Sequence, residues 1–169
     1  FNTDRKLAAV EAVANLLRAP VTTSWGARAA LSEASDLAFP MIYVELVNQI
    51  RSDADVVLAL GSRLGETDWW GKAPYWGSSK NQRLIQVDLD GQVLGANKPA
   101  DLPVLADVRV FLTRLHERLL ARRDQVPVAK RNQGLERYGA EKAKRRRKLD
   151  GALDDRSGPM NSGHVASEC

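Results

Sequence analysis

The sequence predicts an α/β fold: a Rossmann-like three-layer domain with a mostly parallel sheet, followed by a basic linker helix. Three observations carry this. Apolar runs of strand length, at 55–61, 83–90 and 102–107, end in glycine or an acid. Stretches with helical periodicity alternate with them, the pattern of a parallel sheet flanked by helices. Hydrophobic residues make up 44% and charged residues 27% of 169 residues, which suits one compact core and excludes collagenous or disordered chains.

The elements follow in order. Thr3 is a good N-cap, and Leu7, Val10, Val13, Ala14, Leu16 and Leu17 recur as the apolar face of a first helix. That helix stops before Ala19-Pro20. The β-branched stretch 21–25 reads as a strand closed by Gly26, while 27–35 is ambiguous. Pro40 suits the first turn of a second helix, with Met41, Val44, Val47 and Ile50 at steps of three and the last turn running into Asp53-Ala54. The run 55–61 has no polar alternation, which predicts a strand covered on both faces. The runs 83–90 and 102–107 read alike. The last leads into a helix from 108 to about 123 whose inner face is Val108, Phe111, Leu112, Leu115 and Leu119.

After Pro127 apolar residues thin out. Between 130 and 148 there are nine Lys or Arg against Glu136 and Glu141, so this stretch carries +7 of a total of +4 and leaves the rest near −3. No set of stacking aromatics accompanies the run, so nucleic acid is not the expected partner, and the segment reads as a solvated helix or linker. Residues 150–158 have turn composition, and 159–165 resemble the entry to another helix. The expected division is therefore a domain over 1–126, a basic linker over 127–158 and the start of a further domain over 159–169. A doubly wound unit normally opens with a strand and this chain opens with a helix, so the first strand is expected to be missing.

Several chemistries are excluded. No run approaches the roughly 18 apolar residues of a membrane span. Cys169 is the only cysteine, which removes disulfides and multi-Cys metal sites and points to a cytoplasmic protein. His116 and His164 lie far apart without a nucleophile beside either, and no His-Glu-x-x-His or calcium-loop spacing occurs. No catalytic or metal-ligating residue is expected. What does recur is a glycine or acid at each strand's carboxyl end, where open α/β sheets bind ligands. In one reading Gly61 and Ser62 admit a nucleotide to the backbone, Arg63 pairs with phosphate and Asp88 takes ribose hydroxyls. In the other, Gly61 ends a strand, Arg63 makes a surface ion pair and Asp88 terminates pairing. Neither Gly-x-Gly-x-x-Gly nor a Walker loop is present to decide between them.

The segments 54–64, 84–90, 94–99 and 104–108, with 20–26 upstream, resemble the central domain of thiamine diphosphate-dependent enzymes of the acetolactate synthase type, over roughly residues 5–120. Residues 159–169 resemble the opening of that family's diphosphate-binding domain. The resemblance implies a parent enzyme of carboligation or decarboxylation, using thiamine diphosphate and magnesium, in which this domain is noncatalytic. It implies two other domains of the same chain as partners, and a homo-oligomer. Family members carry FAD, ADP or nothing here. By position, Gly61, Ser62 and Arg63 match the segment around a nucleotide's phosphates and ribitol, and Asp88, Leu89, Asp107 and Val108 the segment around its adenosine end.

Two departures weigh against FAD. Phe39-Pro40-Met41-Ile42-Tyr43 stands where flavin-binding members have Gly-Met-His-Gly, and the missing first strand takes with it a glycine-rich turn that would face phosphate. Separately, an insertion at 66–77 gathers Trp69, Trp70 and Trp76 on a loop, for packing, for an interface or for ring stacking. The alternative function is an independent nucleotide-binding module with a basic tail for an acidic partner.

Overall fold

The structure is a computed structural model that describes residues 3–155, 157–160 and 162–167. The capping side chain expected of Thr3, and Cys169, lie outside the described residues. Helix α1, Thr3–Leu17, leads into a short strand β1, Val21–Thr23, and then a 3-10 turn, Trp25–Ala30. Strand β2, Ala38–Pro40, pairs in parallel with β1, Val21 opposite Ala38 and Thr23 opposite Pro40. A 3-10 turn at Met41–Tyr43 precedes helix α2, Val44–Asp53.

This corrects the expected helix start at Pro40. Pro40 closes a fully buried strand instead, and its missing N–H is tolerated because β2 is the edge of a two-stranded sheet. Val44, expected inside, is 39% exposed, while Leu46 joins Val47 and Ile50 in the core. The first strand also ends sooner than expected, at Thr23 rather than residue 25.

A second parallel sheet follows, in the order β3–β4–β5: β3 is Val56–Leu60, β4 is Arg83–Asp88 and β5 is Leu102–Leu105. Val57 sits opposite Leu84, and Val87 opposite Val104. The α/β, largely parallel fold is the one the sequence predicts. Cover on both faces holds for β4, whose Leu84 and Val87 point to opposite faces and are both fully buried. It does not hold for the outer strands: Val56, Leu102 and Leu105 are each more than half exposed. On the Leu84 face the covering layer is the loop after β3, through Leu64 and Trp76, in place of a helix. Helix α3, Val108–Leu120, packs on β4 and along α1 with Leu112 buried.

The basic segment folds as one helix, α4, Val128–Asp154, running through part of the stretch with turn composition. Its first half is packed against the body of the domain. Leu135 and Tyr138 are buried in the main core with Ala14, Leu37, Phe39, Leu46, Val47 and Ile50. The charges follow the same geometry. Arg131 donates to the Leu17 carbonyl at the end of α1, and Arg18 to Asn132. Arg137 and the Tyr138 hydroxyl both donate to Asp53, and Arg145 pairs with Glu45. Lys142 donates to the carbonyls of Glu33 and Ser35 in the loop before β2 and of Ala38 at its start. Burial there draws its pKa below the ordinary lysine value, against the pull of Glu33 and Asp36. A short helix α5, Ser162–Ser167, contacts α4. No helix among the described residues is long and apolar enough to cross a membrane.

Candidate functional site

The carboxyl ends of β3, β4 and β5 form one edge, and all seven candidate residues lie along it. Gly61 ends β3 with φ +61°, its N–H donating to the Val87 carbonyl, in a region where side-chain-bearing residues are strained. A Cβ there would lie 3.9 Å from the Val108 side chain, so the end of β3 and the start of α3 are neighbours. β5 is tied to β4 by the Ala106 N–H on the Asp88 carbonyl.

The polar groups of this edge are largely engaged within the protein. The Ser62 hydroxyl donates to Asp68 at 3.2 Å and accepts the Leu64 N–H at 3.1 Å. The Asp88 carboxylate accepts the N–H of Asp90, closing a turn beyond the strand. Asp107 caps α3, accepting from Arg109 and Val110 at 2.8 and 3.1 Å. Its negative charge stands where an anion would otherwise meet the helix terminus. Leu89 is 72% exposed. Arg63 is exposed and makes no ion pair among the described residues; its carbonyl accepts from Asn97. Among the described residues, the surface ion pair of the alternative reading is not formed.

Sequence reasoning missed the residues that hold this edge in shape. Gln86, 1% exposed, donates to the Ser62 and Val93 carbonyls at 2.9 and 3.1 Å and accepts the Gly95 N–H at 2.7 Å. One amide thereby joins the loops after β3 and β4. Its signal was a glutamine inside an apolar run, which belongs to a buried strand only if its amide is satisfied. Replacing it by alanine leaves the Ser62 carbonyl and the Gly95 N–H without this partner, and the Val93 carbonyl with only the 3.3 Å bond from the Ala96 N–H. Gln86→Ala is expected to cost about 1–3 kcal/mol and to speed hydrogen exchange at Gly95; unchanged exchange would show that the loops hold themselves.

A second buried set fixes the tryptophan loop. Arg51, at the end of α2, donates to Asp68 at 2.7 Å with both side chains more than nine-tenths buried, and its guanidinium lies 5.3 Å from the Trp76 ring. Burial lowers the Arg51 pKa and Asp68 opposes that fall. The Trp76 indole N–H donates to the Asp68 carbonyl, and Gln82 donates to the carbonyls of Arg51 and Ala54. Lys98, its pKa lowered by burial, donates to the carbonyls of Gly71 and Gly77. Gly71 has φ +66°, and a Cβ there would sit 2.5 Å from Cβ of Lys98, so the close approach requires glycine. The aromatic cluster therefore divides. Trp76 is core, whereas Trp69, stacked on Tyr75 at 4.2 Å, and Trp70 are 37% and 43% exposed, both at positive φ. Backbone held this way is strained, and the Trp70 N–H on the Gly65 carbonyl and the Lys72 N–H on the Trp69 carbonyl close the turn that carries it.

An α/β sheet whose carboxyl edge is formed by 61–63, 88–89 and 107–108 is the context in which the comparison with known proteins falls. Residues 2–115 match the family described as thiamine pyrophosphate enzyme, central domain. The chain belongs to that family. It is 40% identical over 76 residues to a sulfoacetaldehyde acetyltransferase of Castellaniella defragrans, covering 42% of this chain and 12% of that protein. It is 27% identical over 109 residues to the acetolactate synthase large subunit of Cyanidium caldarium, covering 63% of this chain and 18% of the relative. A probable acetolactate synthase large subunit of Methanococcus aeolicus is 25% identical over 107 residues, covering 62% and 17%. The matched stretch thus spans less than a fifth of each of these relatives.

The family's cofactor needs a metal to hold its diphosphate. Among the described residues no three of His, Cys, Asp and Glu converge to hold a metal ion, and the sequence has no Gly-Asp-Gly. Among the described residues, this central domain has no donor set that fits the metal-diphosphate end of the cofactor.

Proposed function

We propose that this central domain is noncatalytic in a thiamine diphosphate-dependent carboligase or decarboxylase of the acetolactate synthase type, and that its carboxyl edge holds an adenine nucleotide weakly at most. The observation that carries this is the engagement of the edge: Ser62, Asp88 and Asp107 already bond within the protein, while Arg63 offers an exposed guanidinium. A nucleotide would have to displace internal hydrogen bonds to be bound, at about 1–3 kcal/mol for each polar group left unmatched. Phe39 and Pro40, buried in β2, stand in place of the glycine turn through which flavin-binding members approach their cofactor.

Within this reading, 1–126 form the domain, 127–158 connect it and 159–169 begin the next, whose metal would be magnesium. The other two domains of a cytoplasmic, homo-oligomeric parent are its partners. The reading is favoured over a free-standing module with a basic tail for an acidic partner because Arg131, Arg137, Lys142 and Arg145 are all directed onto the domain itself.

Calorimetry with ADP and FAD on the chain and on Arg63→Ala tests the site. The chain is expected to purify colourless and to bind ADP with a Kd near about 1 mM, −4 kcal/mol, or weaker. Micromolar binding abolished by Arg63→Ala would show that the edge is a competent site; micromolar binding indifferent to it would move the site elsewhere. Saturable pyruvate turnover with thiamine diphosphate and magnesium would overturn the noncatalytic role.

A further inference from the structure

We propose that α4 packs against α4 of a second copy of this chain, antiparallel and about a two-fold axis, with Glu136 of each copy paired to Arg146 of the other. A groove of about 890 Å³ runs along α4. One wall is the helix face of Asn132, Glu136, Gly139, Ala143 and Arg146, and the other is the loop at 33–36 with Pro40 and Tyr43. The residues of the helix wall recur at steps of three and four, so they form one stripe, about 15 Å long from Glu136 to Arg146.

The order of charges along the stripe selects the occupant. A two-fold axis midway between Gly139 and Ala143 sets Gly139 of one copy opposite Ala143 of the other and Glu136 opposite Arg146, each pairing occurring twice. Asp150 accepts from Arg146 and so shares its face, and the same axis brings Asn132 of the other copy to it. Every pairing is complementary: small residues at the centre, opposite charges beyond them, and amide against carboxylate at the ends. Glu136 is exposed and makes no ion pair among the described residues, so its charge is available. A Cβ at Gly139 would meet nothing within 4 Å, so the backbone lies open at the centre of the groove and a second helix can come close there.

The basic character of α4 does not oppose this. Arg131, Arg137, Lys142 and Arg145 are bonded to the body of the domain. At 3.6 residues per turn Lys130, Lys144 and Lys148 fall about 140–180° from Gly139, on the far side of the helix, and Arg147 lies on its flank. Arg146 is then the cation that the stripe presents, with Glu136 and Asp150 to match it. α4 lies outside the residues 2–115 that match the family, and the contact requires neither nucleotide nor thiamine, so it goes beyond the functional reading.

Sedimentation equilibrium of the full chain from about 1 μM to about 1 mM is the test. The mass is expected to move from one chain toward two as the concentration rises. Glu136→Arg places like charges at both pairs and should weaken association by about 10-fold or more, as should Arg146→Glu, while the two together should restore it to within about 3-fold of wild type. Gly139→Leu fills the centre of the groove where a Cβ meets nothing of its own chain, so it should leave the Tm no lower and abolish the dimer. A chain that stays monomeric at about 1 mM would overturn the proposal. So would a dimer indifferent to Gly139→Leu, or one that the double charge reversal fails to restore, because the contact would then lie elsewhere.

Discussion

Phe39→Ala is expected to cost about 3–5 kcal/mol, the range for removing a buried phenyl group. Phe39 is fully buried in the middle of β2, among Leu37 ahead of the strand and Leu46 and Val47 of α2. The Tyr138 ring of α4 meets it edge-on at 6.1 Å, and the Lys142 ammonium lies 5.6 Å from its ring. Tyr138 is fixed by its bond to Asp53 and Lys142 by three carbonyls, so neither can collapse into the space left behind. A domain has about 5–15 kcal/mol in hand, so the loss is a large share of the total. Urea unfolding of wild type and variant measures it. A cost under about 1 kcal/mol would mean that α4 moves inward to fill the cavity and is not the rigid wall described above.

How far the fold was legible depended on what each element owed to its own residues. β3 was legible as the unbroken apolar run Val56–Leu60, and β4 because Leu84, Ile85 and Val87 put apolar side chains on both faces of Arg83–Asp88. α3 announced itself through the apolar repeat that puts Leu112 on its inner face, while the cap that Asp107 provides was not read. β2 was not legible. Three residues cannot show a period, and Pro40 in front of an apolar repeat imitates a helix start, so only pairing with β1, a long-range contact, selects the strand. α4 was legible as a basic helix, while its place on the core was not: Leu135 and Tyr138 are two buried positions in 27 residues. They become a packing face only where Phe39 and Asp53 are there to receive them. At the carboxyl edge the candidate residues were found from strand ends, and the side chains that shape it were missed. Gln82 and Gln86 look like solvent-facing positions until the carbonyls they satisfy, from elements up to 31 residues away, are brought to them.

Asp68→Ala is expected to destabilise the chain by about 3–5 kcal/mol, because it leaves the buried Arg51 charge without its partner. The magnitude follows from what remains. Arg51 is 6% exposed, and its second terminal nitrogen already has no hydrogen-bond partner, so no neighbour stands ready to take over. The Ser62 hydroxyl loses its acceptor as well, which releases a residue of the carboxyl edge. The bond from the Trp76 indole goes to the Asp68 backbone and survives the substitution. Two effects are thereby separable, one on the charge and one on the loop. Desolvation makes a buried pair costly to assemble and costlier to halve, so replacing both partners by apolar groups should cost far less than removing one. Asp68→Leu combined with Arg51→Met is accordingly expected to recover most of the loss, to within about 1 kcal/mol of wild type, with a coupling energy of about 2–4 kcal/mol across the cycle. Unfolding followed by tryptophan fluorescence and by far-UV circular dichroism reads the two sites together. In the single variant the fluorescence transition should come first, since Trp69, Trp70 and Trp76 lie on the loop that the Asp68 carboxylate ties to Arg51. If the double variant is no more stable than Asp68→Ala, the cost lies in the turn and its strained backbone, and the ion pair contributes nothing of its own.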